Sequence, residues 1–230
     1  MNRIMSSILL SALVCGGAGA SPATARDGMA QRTAACVMCH GDQGRAASAG
    51  YLPRLAGKPQ AYLYNQLINF RQGRRVNPAM NHLVAHLSDS YLQEIAAYFA
   101  AQHPPYPQPQ RASATARVLE RGRGLVTQGD HARKIPACIA CHGQQLTGVA
   151  PAIPGLLGLP RDYLNAQFGA WRIGARRTQA PDCMAQIAGR LAADDVAAIA
   201  AWLAAQPVPR EYMPEPASTA ALPIACAGVK

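Results

Sequence analysis

The sequence predicts an all-α protein of two tandem helical units, and three observations carry that expectation. The pattern Cys-x-x-Cys-His occurs twice, as Cys36-Val37-Met38-Cys39-His40 and Cys138-Ile139-Ala140-Cys141-His142, 102 residues apart. Matching apolar positions at helical spacing follow each copy, so the chain reads as a duplication of a unit of about 100 residues. Neither half holds an alternating apolar–polar stretch of useful length for a strand.

The first 20 residues read as an export signal. Arg3 supplies a positive n-region, Ile8 to Val14 an apolar stretch, and Ala18-Gly19-Ala20 a small-residue cleavage site. The apolar run falls short of the ~20 residues that span a bilayer. Val14 is a poor residue before an acylated Cys15, so cleavage after Ala20 and a periplasmic location are expected. The rest divides into a first unit at 21–103, a Pro-rich linker at 104–112, a second unit at 113–206 and a Pro-containing tail at 207–230. In the first unit Pro53-Arg54-Leu55-Ala56-Gly57 precedes a helix with Tyr62, Leu63, Gln66, Leu67 and Phe70 on one face, ending at Gly73. The second unit repeats this as Pro154-Gly155-Leu156-Leu157-Gly158, then Tyr163, Leu164, Gln167, Phe168 and Trp171, ending at Gly174. Each closes on a helix, with Leu92, Ile95, Ala96 and Phe99 matched by Val196, Ile199, Ala200 and Leu203, and Ser88 is placed to cap the first of these. Four prolines in the six residues 104–109 favour an extended, semi-rigid linker.

Composition narrows the chemistry. Half of the 230 residues are hydrophobic and 15% are charged, which excludes a disordered chain. Aromatic residues make up only 6%, so two small cores need a filler beyond amino-acid side chains. Both motifs are c-type haem attachment signatures. Two thiols add across the vinyl groups of one porphyrin, and the adjacent His becomes a ligand of its iron. Cys36 and Cys39 would hold one haem c, Cys138 and Cys141 a second, with His40 and His142 as proximal ligands. A structural zinc site would need four closed ligands per metal, and a thioredoxin-like thiol pair a βαβ context absent here. For the sixth ligand Met80 and Met184 stand at equivalent places, seven residues before Leu87 and Leu191. His82 and His86 are nearby, but Gln186 and Arg190 stand in their places in the second unit.

The paired Cys-x-x-Cys-His-Gly, the Pro-x-Leu-x-Gly segment, the Tyr-Leu-x-x-Gln helix and the Met before Leu-Ser-Asp-x-x-Leu resemble the cytochrome c4 family of dihaem class I c-type cytochromes, over roughly residues 24–206. The resemblance implies two tandem cytochrome c-like domains, each wrapped around a covalently attached haem, with His40/Met80 and His142/Met184 as axial pairs. It implies further that the carbonyls of Pro53 and Pro154 orient the proximal imidazoles. The expected function is electron transfer between a donor complex or dehydrogenase and a terminal oxidase or other acceptor, with no enzymatic activity of its own. A second expectation is the dihaem subunit of a periplasmic dehydrogenase, such as a sulfide-oxidising flavocytochrome. A dihaem peroxidase or thiosulfate dehydrogenase would need an open or Cys-ligated iron, for which Cys183 beside Met184 is the candidate. In an exported protein a disulfide between Cys183 and Cys226 competes with that role. The formal charge of +10 does not point to nucleic acid in such a chain. Arg71, Arg74 and Arg75, repeated as Arg172, Arg176 and Arg177, either pair with haem propionates or form a patch for an acidic redox partner or an anionic membrane. His103 and His131 are expected at the surface.

Overall fold

The computed structural model describes residues 28–46, 50–112, 114–217, 219 and 221–229. The expected signal peptide lies outside them. Among the described residues, helices α1 (Met29–Arg32), α2 (Ala34–His40), α3 (Gln60–Arg71), α4 (Pro78–Val84) and α5 (Asp89–Ala100) form the first half. Helices α6 (Ala116–Thr127), α7 (Ile139–His142), α8 (Arg161–Arg172), α9 (Cys183–Arg190) and α10 (Ala193–Ala204) form the second.

Each half packs a core of its own. Leu63, Phe70, Val84, Leu92, Ile95, Ala96 and Phe99 make the first, on the faces that the periodicity of α3 and α5 marks. Leu164, Phe168, Val196, Ile199 and Leu203 do the same in the second, joined by Leu125 and Val126 of α6. Ser88 Oγ accepts the Tyr91 N–H and caps α5. Ala192 cannot cap α10, and Asp195 takes over by accepting the Ala192 N–H at 2.9 Å.

Three features differ from the sequence expectations. A two-residue antiparallel pair, β1 (Gly148–Val149) with β2 (Ile153–Pro154), closes the segment after the second Cys-x-x-Cys-His. Such strands are too short for alternation to announce them. The linker is no free spacer. The buried Arg54 donates to the carbonyls of Pro104 and Pro105, and its guanidinium lies over the Tyr106 ring at 3.9 Å. The tail also packs back on the fold. Glu215 exchanges backbone hydrogen bonds with Gly148 and Ala150, in addition to the Cys183–Cys226 disulfide that the sequence already suggested.

Candidate haem sites

Both Cys-x-x-Cys-His motifs end a short helix, α2 or α7, and the next residue turns the chain sharply. Gly41 and Gly143 have φ of 74° and 85°. A side chain at either would also meet the Ala46 carbonyl oxygen at 2.6 Å or the Glu215 carboxylate at 2.7 Å. The turn buries the histidine and brings the Pro-x-Leu segment behind it. His40 Nδ1 donates to the Pro53 carbonyl at 3.0 Å, and His142 Nδ1 to the Pro154 carbonyl at 2.7 Å. A carbonyl can only accept, so each Nδ1 carries the proton and each Nε2 keeps its lone pair. Burial lowers both imidazole pKa values, which keeps the rings neutral and ready to ligate a metal. Burial raises the Cys36 thiol and pushes that of Cys138 up to about 12.

Met184, on α9, lines one cavity with Cys138, Cys141, His142 and Pro154. Apolar Leu125, Ile135 and Leu156 surround these donors. Two thiols for attachment, an imidazole nitrogen, a thioether and an apolar wall fit an iron porphyrin. In the first half Cys36 and Met80 pack against the same apolar cluster. His82, His86, His103 and His131 are exposed, as their surface reading requires for the last two. Cys183 is in a disulfide and is not a free thiolate.

The arginine clusters do not make two matching surface patches. Arg71 donates to the Leu87 carbonyl and pairs with Asp89. Arg75 and Arg176 lie in the seam between the halves, where Val76 N–H donates to the Ala175 carbonyl and Arg177 N–H to that of Arg74. Arg75 reaches Gln66 and Gln167 Oε1, both at 2.8 Å, and the Tyr163 hydroxyl. Arg176 mirrors it with Gln167, Gln66 and the Tyr62 hydroxyl. Each guanidinium also stacks on its own half's ring, Arg75 on Phe70 and Arg176 on Trp171. The repeat had already exposed these residues: a Gln kept on an otherwise apolar helix face in both copies is the signal of a polar seam.

Sequence reasoning missed Lys58, which lines the same cavity as His142 from the other half of the chain. Its residue exposure is 9%, and burial lowers its pKa to about 8. A lysine before Pro59 carries no sequence signal, because its site is made by residues 97 positions away.

Fold and donors together define a c-type cytochrome with two haem-binding units. Residues 23–99 match the family model described as cytochrome C oxidase, cbb3-type, subunit III. A thiosulfate dehydrogenase electron acceptor of Thiomonas intermedia is 36% identical over 90% of this chain and 93% of its own. Cytochrome c4 of Pseudomonas aeruginosa is 33% identical over 88% of this chain and 98% of its own. The crystal structure of reduced recombinant cytochrome c4 from Pseudomonas stutzeri superposes with a TM-score of 0.66 at 28% identity, covering 76% of this chain and 94% of that one. The chain belongs to the cytochrome c4 family, dihaem class I c-type cytochromes that carry covalently bound haem c.

Proposed function

We propose that this protein is a periplasmic dihaem electron carrier that takes electrons from a dehydrogenase and passes them to a terminal oxidase or another acceptor. The domains run over 21–103 and 113–206, joined by 104–112 and followed by the tail at 207–230, with residues 1–20 removed on export. Cys36 and Cys39 attach one haem, Cys138 and Cys141 the other, and His40/Met80 and His142/Met184 supply the axial ligands. Haem c contributes a one-electron couple at each site when bound. Pro53 and Pro154 hold the imidazoles in one orientation, and the apolar cavity wall keeps water from the second site. The observation that carries the reading is the twofold occurrence of a buried His locked by a proline carbonyl, each matched by a Met in the same apolar surroundings. A thioether in the sixth position leaves no open site for peroxide or substrate.

The donor is a dehydrogenase of small sulfur oxyanions on this reading. Its support is the likeness, over nine-tenths of the chain, to a relative whose name makes it the electron acceptor of thiosulfate dehydrogenase. The exposed Arg172 and Arg177 are free to steer an acidic partner.

An optical spectrum of the oxidised holoprotein tests the ligation. The expected result is two equivalents of the weak far-red charge-transfer band of Met sulfur on ferric haem, with no response of the reduced protein to carbon monoxide. Rapid carbon monoxide binding at one haem would mean an open site and an enzyme.

A further inference from the structure

Lys58 is the buried charge that the electron-carrier reading leaves without a task. It stands between Gly57 and Pro59, just ahead of α3, yet its side chain leaves its own half and enters the second. There Nζ donates to the Gly155 carbonyl at 3.3 Å, the residue next to the Pro154 that holds His142. An ammonium has three donors, and among the described residues one acceptor meets it, the Gly155 carbonyl. The titratable groups felt most strongly at its position are the Tyr163 phenol and then the cations Arg54 and Arg176, with no carboxylate of the described residues among them. Among the described residues the side chains of Arg75 and Arg176 likewise hydrogen-bond to neutral groups, the side chains of Gln and Tyr. A buried cation with unused donors is costly unless an anion meets it. The cavity it lines is the one that fits the second porphyrin.

The repeat shows what is peculiar about it. Arg75 and Arg176 occupy equivalent positions, so each half contributes one arginine to the seam. The position equivalent to Lys58 is the buried Leu159, so the first site receives no matching charge from the second half.

We infer that Lys58 belongs to the second haem site in trans: its ammonium takes a propionate carboxylate of the haem attached at Cys138 and Cys141 and raises that haem's reduction potential. The inference rests on the haem reading above. A ferric centre carries one more positive charge than a ferrous one, so a nearby cation and a neutralised propionate favour the reduced state. The Gly155 carbonyl holds the ammonium in place, and the domain seam keeps it out of water.

The test is a redox titration of the full-length holoprotein that resolves the two potentials, with each haem assigned by NMR of its methyl groups. Lys58→Leu installs the side chain of the equivalent position. It should shift the electron partition between the haems at least tenfold, 59 mV for one electron, by lowering the second potential alone. Lys58→Arg should keep the parent value. Unchanged potentials, or equal shifts at both haems, would overturn the inference. If Lys58→Leu fails to load haem, Lys58→Gln is titrated by the same criteria. The far-red Met band separates the two readings: its absence from the parent protein strikes the ligation, whereas its presence with immobile potentials strikes Lys58 alone.

Discussion

Asp195 sits wholly out of water at the start of α10, where it does three things at once. It accepts from Arg121 and Arg133, both at 2.8 Å or less, and caps the helix through the Ala192 N–H. Burial alone would raise its pKa, but the hydrogen bonds from Arg133, Ala192 and Arg121 outweigh that and hold it below the ordinary aspartate value. A depressed carboxyl stabilises the fold at pH above its unfolded-state value, about 3.9, and the contribution fades as pH falls through the lower folded value. Asp195→Ala should therefore cost about 3 kcal/mol at neutral pH, since it removes the carboxylate of Arg121, one of the two carboxylates of Arg133 and the cap of a helix end. In urea melts from neutral to acid pH, the gap between parent and variant should narrow toward acid. A gap that stays constant would mean that the carboxylate charge is not what stabilises.

The crossing of α6 and α10 is set by one missing side chain. A Cβ on Gly122 would stand 2.2 Å from the Ala198 carbonyl oxygen and 2.9 Å from Trp202 Cβ, so the helices approach backbone to backbone there. Gly122→Ala forces them apart and should cost about 1–3 kcal/mol. Gly169, inside α8, is exposed and its Cβ would meet nothing within 4 Å. Gly169→Ala should stabilise by about 0.5–1 kcal/mol through helix propensity. Opposite shifts of the thermal midpoint in the two holoproteins check the pair, and shifts of one sign would refute the packing argument. The helix α6 escapes sequence reading for a related reason. Gly122 and Gly124 interrupt its pattern, and the close approach that needs one of them depends on Ala198, on a helix far along the chain.

At the scale of the whole molecule, a seam and a strap join the two halves. The seam is the paired Arg75–Gln66–Gln167–Arg176 network, and the strap is the tail, which pairs with β1 through Glu215 and reaches the first half where Asn65 donates to the Gly228 carbonyl. The Cys183–Cys226 bond ties that strap across 43 residues, next to Met184. By loop entropy it is worth up to about 4 kcal/mol. A Cys183→Ser/Cys226→Ser double variant should lose a substantial part of this in chemical denaturation, and it should leave the Met80 half of the far-red band intact. Unchanged stability would show that the tail is held by its backbone pairing. The sequence by itself determined the duplication and the helical class, and it marks the four cysteines, His40, His142, Met80 and Met184 that the proposed function assigns to the haems. Covalent attachment and ligation demand particular residue types at fixed short spacings, and these are visible in the chain. The tertiary structure alone decided that Arg75 and Arg176 face each other, that the linker docks on Arg54, and that Lys58 enters the other half. Those contacts join residues 50 to about 100 apart, and long-range packing sets them without leaving a local pattern.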